Sequence, residues 1–190
     1  MAVESATVLV TGDAGAIGAA TAELFVETGW HVLGVDKADR SGSASTDTYT
    51  KMSADLTDED ATVESLQVLD ELPPLTHVVA IAGGALETEP LTQDDPDLID
   101  LDDFRASLEL NLTSQFITLR SALPWLKVHH GDRSVTFTSS FNALSGLGMP
   151  AYSAAKAGLI GMMNALVGPL GANGIRVNTV APGTIRTPRT

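Results

Sequence analysis

The sequence predicts a doubly wound α/β fold, a parallel sheet covered by helices on both faces. Three observations carry this expectation. Short apolar, β-branched runs alternate with longer helical patterns from the first residues onward. The first run ends in a glycine-rich turn that opens a helix. Strands separated by helices pair in parallel through right-handed crossovers, which buries them on both faces.

The elements follow in order. Thr7-Val8-Leu9-Val10-Thr11 is a β-branched run closed by Gly12, the first strand. Residues 16–28 are Ala-rich and helical, and Gly29 stops them. His31-Val32-Leu33-Gly34-Val35 is a second strand closed by Asp36, and residues 39–48, rich in Ser, Asp, Thr and Gly, read as a loop. A short third strand is expected around 49–53, then a helix near 58–70 ended by Pro73-Pro74. The fourth strand, 77–81, runs into Ala82-Gly83-Gly84. Residues 87–103 carry eight acids and two prolines with little apolar periodicity, and read as a solvated excursion. One long helix is expected over 101–127, with Pro124 near its end. Residues 134–139 form a fifth strand, 151–170 another long helix, and 175–180 a sixth strand. There is no repeat, low-complexity tract or linker, so residues 1–190 read as a single domain.

Composition narrows the function. Hydrophobic residues make up 44% and charged residues 18%, enough for a sizeable core. Eleven basic against 24 acidic side chains give a formal charge of −13, which repels phosphate backbones and anionic lipid. Neither a nucleic-acid nor a membrane partner is expected. No apolar run spans a bilayer, and the start has neither a basic n-region nor an apolar h-region. The expectation is a cytoplasmic protein. With no cysteine there are no disulfides, thiolate nucleophiles or cysteine-based metal sites, and no metal site is expected.

Thr11-Gly12-Asp13-Ala14-Gly15-Ala16-Ile17-Gly18 joins strand to helix. Glycines at 12, 15 and 18 let the backbone turn tightly and approach a pyrophosphate, toward which the helix start offers N–H groups. Such a turn serves equally well to pack helix on strand. Asp36 lies about 20 residues on, at a strand end, where an acid accepts both ribose hydroxyls of NAD and repels the 2′-phosphate of NADP. Alone it reads as a solvated acid; with the turn it makes a dinucleotide site the better reading. NAD is favoured over NADP, although Lys37 and Arg40 stand near enough to serve a phosphate.

Tyr152 and Lys156 lie one helical turn apart and share a face. A phenol ordinarily titrates near 10, and an ammonium one turn away favours phenolate, which makes a general acid–base. The same spacing also occurs in ordinary amphipathic helices. Its company raises it: Ser139-Ser140 close the preceding strand, and Asn111 sits inside the long helix before it.

At this point the chain resembles the short-chain dehydrogenase/reductase family of oxidoreductases. The resemblance covers nearly the whole sequence: Thr11 to Gly18, Asp36, Asp55-Leu56, Ala82-Gly83, Asn111-Leu112, Ser139-Ser140, Tyr152-Ser153-Ala154-Ala155-Lys156, and Asn178 through Pro182-Gly183-Thr184-Ile185-Arg186-Thr187-Pro188. It implies a Rossmann-type, three-layer αβα sheet in the order 3-2-1-4-5-6, with a seventh strand and a substrate lid beyond Thr190. It implies a catalytic set of Asn111, Ser140, Tyr152 and Lys156. Tyr152 would transfer the proton, Lys156 would lower its pKa and hold the nicotinamide ribose, and Asn111 would help hold a water relay. Ser140 is preferred for the substrate oxygen because it matches the strand-end pattern; Ser139 has the commoner spacing to Tyr152 and is the alternative. Cofactor contacts would come from Gly12, Gly15, Ile17 and Gly18, from Asp36, from Asp55 and Leu56 at the adenine, and from Ala82 and Gly83. Tyr152, Lys156, Pro182, Gly183, Ile185 and Thr187 would complete them.

Two departures stand out: Ala16 replaces the family's usual glycine, with Gly15 one position earlier, and Ala80-Ile81-Ala82-Gly83 replaces Asn-Asn-Ala-Gly. The implied activity is NAD-dependent interconversion of a secondary alcohol and a ketone. The alternatives are an epimerase or dehydratase of the same family and a dinucleotide-binding sensor or scaffold. Gly84, Ala85, Phe141, Asn142, Leu144, Leu147 and Met149 would border a moderately apolar substrate. Phe116, Leu119, Leu123, Leu159, Met162, Met163 and Leu166 point to more than one face of their helices, so a homodimer or homotetramer is expected.

Overall fold

The structure, a computed structural model, describes residues 6–38, 45–88 and 96–186. Six strands form one parallel sheet in the order β3-β2-β1-β4-β5-β6: β1 Thr7–Thr11, β2 His31–Asp36, β3 Tyr49–Ser53, β4 Leu75–Ala80, β5 Arg133–Thr138 and β6 Ile175–Val180. The order reverses between β1 and β4, which opens a crevice at their carboxyl ends.

Alternation along the strands sorts the core into two layers. Val8, Val10 and Val32 meet Ala22, Phe25 and Val26 of α1 (Ala16–Glu27). Leu9, Leu33, Val35, Val135 and Phe137 belong to the larger cluster, with Leu66 of α2 (Glu59–Leu66), Leu119 and Leu126 of α4 (Ser114–Val128), and Leu159 of α6 (Pro150–Gly171). Asp58 caps α2 by accepting from the Ala61 amide, and the helix passes into a 3-10 turn at Gln67–Asp70.

The structure revises the helix expected over 101–127. It begins as α3 (Leu101–Leu108), passes through a π-helical turn at Glu109–Thr113, and continues as α4 to Val128 with Pro124 inside it. Residues 89–95 of the acidic stretch lie outside the described residues, and from residue 96 on the chain is structured rather than a solvated excursion. Pro96–Leu98 is a 3-10 turn, and Asp100 caps α3 by accepting from the Asp102 and Asp103 amides at 2.8 and 3.1 Å. The chain between β5 and α6 holds a short helix, α5 (Asn142–Ser145), that the sequence pattern did not suggest.

Of the residues read as two-faced, Leu119 and Leu159 are fully buried on the sheet, and Met162, Met163 and Leu166 pack against the same core. The large apolar side chains left exposed on these helices are Leu101, Phe116, Val128 and Val167, with Phe116 at 43% and Val167 at 49% lying away from the helix ends. No helix among the described residues is long and apolar enough to cross a membrane.

Candidate functional site

A cleft of about 870 Å³ runs along the carboxyl ends of the strands, within the span of roughly 300–1,000 Å³ usual for small-molecule and cofactor sites. One end is built by the turn after β1. Gly12 has φ +73°, and a Cβ there would lie 2.8 Å from the Ala82 nitrogen. Gly18 is pressed so closely on the Gly12 carbonyl that a Cβ has no room, and this sets the start of α1 against the turn. Gly15 is the N-cap and supplies no side-chain bond, so the first amides of α1 face the cleft uncapped.

Thr11 supports the facing wall. Its Oγ1 accepts from the Ile81 and Ala82 amides at 3.1 and 3.3 Å, holding the chain after β4 although Ala80 and Ile81 bring no polar side chain of their own. Asp36 closes the turn's outer side: Oδ2 accepts from the Ala14 amide at 3.3 Å and Oδ1 from the Ala38 amide at 2.8 Å. Lys37 lines the same end. Asp55 lies further along, where both the amide and the hydroxyl of Thr57 donate to its Oδ1; these bonds hold its carboxyl below the ordinary carboxylate value.

The other end gathers the polar side chains of α4, β5 and α6. Lys156 is 2% exposed, and its Nζ donates to the Thr138 carbonyl at 2.9 Å while lying 5.6 Å from the centre of the Tyr152 ring. Burial lowers its pKa from the ordinary 10.5 to about 8. Ser139 is buried too, and its hydroxyl donates to the Lys156 carbonyl at 2.7 Å. Ser140 is more open, accepts from the Asn142 amide at 3.2 Å, and borders the cleft with Tyr152.

Asn111 lies in the π-helical turn, the kind of local widening often found at functional sites. Its Oδ1 accepts from the Gly84 amide at 2.8 Å, and its Nδ2 donates to the carbonyls of Gly84 and Ser107 at 2.9 and 3.0 Å. Both amide hydrogens are thus engaged by backbone. The Asn111 side chain is a clamp on the glycine loop. A Cβ at Gly83 would sit 2.7 Å from Asn111 Oδ1 and 3.3 Å from Lys156 Nζ, so glycine is what lets loop, amide and ammonium meet.

Most residues singled out from the sequence come together here. Gly12, Gly15, Ile17, Gly18, Asp36, Asp55 and Leu56 line one end of the cleft. Ala82, Gly83, Ser139, Ser140, Tyr152, Lys156, Pro182 and Gly183 line the rest. Asn111 stands behind the wall with no exposure, and Ile185, 41% exposed, does not border the cleft. Thr187 and Arg40 lie outside the described residues.

Of the expected substrate border, Gly84 and Ala85 line the cleft, whereas Phe141, Leu144 and Leu147 are exposed and do not line it. Met149 is a correction. Its backbone is left-handed at φ 53° and its side chain is buried, so it serves the start of α6 ahead of Pro150 rather than a substrate.

Gln115 went unnoticed in the sequence. Its amide donates to the Ala82 and Thr138 carbonyls at 3.4 and 3.3 Å and accepts from the Thr138 amide, pairing backbone groups where β4 and β5 diverge. The available signal was a polar stripe at i, i+4, i+8 through Ser107, Asn111 and Gln115, all of them buried.

The residues present fit a dinucleotide: an uncapped helix start behind a glycine cradle, the Asp36 carboxylate at one end and the Tyr152–Lys156 pair at the other. The family model described as short chain dehydrogenase matches residues 6–190. An uncharacterized oxidoreductase of Schizosaccharomyces pombe is 36% identical over 189 residues, covering 99% of this chain and 70% of the other. A 3-oxoacyl-[acyl-carrier-protein] reductase of Rickettsia felis is 31% identical over 188 residues, with 97% and 74% covered. The crystal structure of 3-hydroxyacyl-CoA dehydrogenase type-2 from Mycobacterium avium superposes with a TM-score of 0.88 at 30% identity, covering 98% of this chain and 77% of that one.

Proposed function

Because the chain belongs to the short-chain dehydrogenase/reductase family, we propose that it interconverts a secondary alcohol and a ketone with NAD as the preferred dinucleotide. The observation that carries this reading is the Tyr152–Lys156 pair at the cleft wall, with the lysine pinned by Thr138 and the ring open to the cleft. When bound, a nicotinamide supplies or accepts the hydride at its C4.

The remaining work falls to side chains. Tyr152 holds the proton that the substrate oxygen loses or gains, and Ser140 donates a hydrogen bond to that oxygen. Lys156, its pKa held near 8 by burial, still carries its charge at neutral pH and favours the tyrosinate. Ser139 locks the helix carrying both residues to the end of β5. Gln115 bridges the two strand ends, and Asn111 holds the glycine loop that follows β4. At the far end Asp36 takes the ribose hydroxyls, and its carboxylate opposes a 2′-phosphate.

A set of intact acid–base residues favours an enzyme over a sensor, which has no need of a proton donor. Tyr152→Phe is the test. It keeps the ring and removes the transferable proton, so turnover of secondary alcohols should fall by about 10²–10⁴-fold while NAD binding stays near wild type. Undiminished turnover would return the chain to the nucleotide-binding alternative.

A further inference from the structure

Asp13, the second residue of the glycine turn, has no exposure at all and does not line the cleft. Its side chain folds back across β2. There Oδ2 accepts a hydrogen bond from the Tyr49 hydroxyl at the start of β3, and Oδ1 is buried without a hydrogen-bond partner. The crossing point is Gly34, where a Cβ would collide with both the carboxylate and the phenol oxygen. Gly34 pairs with Val10 on one side and Lys51 on the other, so the contact ties the β1 turn to the edge strand over the strand between them. Burial raises the Asp13 pKa; the Tyr49 bond and the Lys51 charge pull it down, and Asp36 pushes it up.

A buried acid with one unsatisfied oxygen is costly, and its position beside a second acid adds to the cost. What the arrangement controls is its chain neighbour. The Ala14 amide, one residue on, donates to Asp36 Oδ2, while the Ala38 amide holds Oδ1. Both oxygens of the Asp36 carboxylate thus accept from backbone, and one of those amides belongs to the residue that directly follows Asp13.

We propose that Asp13 is a positioning residue for dinucleotide choice: gripped by Tyr49 across Gly34, it fixes the amide that aims Asp36, so preference for NAD over NADP depends on this contact as well as on Asp36. The inference rests on the reading of the cleft as a dinucleotide site. Asp13 acts by place rather than by charge, because it lies beneath the cleft wall and its unsatisfied oxygen is buried.

Three variants separate place from charge. Tyr49→Phe keeps the acid and removes the grip, Asp13→Ala removes both, and Asp13→Asn keeps an acceptor for Tyr49 without the charge. Dissociation constants for NAD and NADP are read by calorimetry on the cofactor-free protein, together with amide hydrogen exchange over residues 12–15. Tyr49→Phe and Asp13→Ala should weaken NAD about fivefold to tenfold, as expected for losing one aimed hydrogen bond, with NADP changed less than about twofold. Exchange over 12–15 should quicken in both. Asp13→Asn should restore the wild-type preference to within about twofold. The proposal is overturned if Tyr49→Phe leaves preference or exchange unmoved, or if Asp13→Asn shifts the preference as far as Asp13→Ala does. A wild-type protein that binds neither dinucleotide sinks the underlying reading instead, before any variant is compared, and the exchange data then still judge whether Tyr49 orders the turn. Should Asp13→Ala fail to fold, the Tyr49→Phe and Asp13→Asn pair carries the test unaided.

Discussion

Replacing Lys156 by methionine should leave the protein without activity yet change its stability in a way that depends on pH. Lys156 is buried, and burial holds its pKa at about 8 against the ordinary 10.5. At roughly 1.4 kcal/mol per pKa unit, the charged form is disfavoured by up to about 3 kcal/mol relative to water. Methionine keeps the unbranched stem and drops the ammonium. The bond to the Thr138 carbonyl is lost, but that carbonyl still accepts from Gln115 at 3.3 Å, so it is not orphaned. At pH 6.5 the variant should be more stable than wild type by about 1 kcal/mol, the relieved desolvation less the lost hydrogen bond.

The pH dependence follows from the direction of the shift. Below about 8 both native and unfolded wild-type chains carry the proton, and this lysine contributes no slope. Between about 8 and 10.5 the native chain has released the proton and the unfolded chain still binds it, so wild-type stability rises with pH. Relative to Lys156→Met, wild type should gain about 2 kcal/mol between pH 6.5 and pH 9.5. Urea denaturation of both proteins at pH 6.5, 8 and 9.5 measures it, and groups common to both cancel in the difference. A difference that stays constant across the three pH values would refute the buried-ammonium reasoning, and with it the claim that the cleft keeps this lysine out of water.

The two serines should separate. Ser140→Ala should lower kcat by tenfold or more with stability unchanged; Ser139→Ala should cost about 1 kcal/mol in urea midpoint through its buried bond to the Lys156 carbonyl and leave most of the activity. The reverse pattern would reassign the substrate oxygen's partner to Ser139. Asp36→Ala should weaken NAD and improve NADP relative to it, because Lys37 remains at the same end of the cleft, and paired titrations of the two dinucleotides decide this. Exposed Phe116 and Val167 on α4 and α6 lead us to expect a homodimer or homotetramer. A monomer by light scattering at micromolar concentration would contradict that.

Where the sequence was legible, burial and local chemistry agreed. β1, β3 and β6 fall on the residues expected because each run has clear ends, such as Gly12 after Thr11. β5 starts one residue early, at Arg133, because a charged residue does not read as a strand from its type alone. Its guanidinium is buried all the same, donating to the carbonyls of Leu126 and Asn173 at 3.0 and 2.6 Å. The π-helical turn was hidden for a different reason. A π-helical turn differs from an α-helical one in which backbone groups pair, i to i+5 in place of i to i+4, and no residue type marks that choice. Its trace was polar, in Ser107, Asn111 and Gln115 on a stripe that would otherwise be apolar.

The site residues divide along the same line. Gly12, Gly18 and Asp36 were readable because turn, helix start and strand end are local events within one βαβ unit. For the serine pair, spacing to Tyr152 favoured Ser139 and the strand-end pattern Ser140; what no local pattern carried is the Lys156 carbonyl 17 residues away, which takes the hydroxyl of Ser139. Asp13 is the extreme case. As a residue type in a glycine turn it looks like one more solvated acid on a chain with a charge of −13. Only the parallel pairing of β1, β2 and β3 brings Gly34 and Tyr49 beneath it. A glycine that leaves space and a phenol that fills it are unremarkable 15 residues apart in sequence, and they become a grip only when the sheet sets them side by side. The same pairing puts the Ala14 amide on Asp36, so the acid the sequence reveals is held by one it conceals.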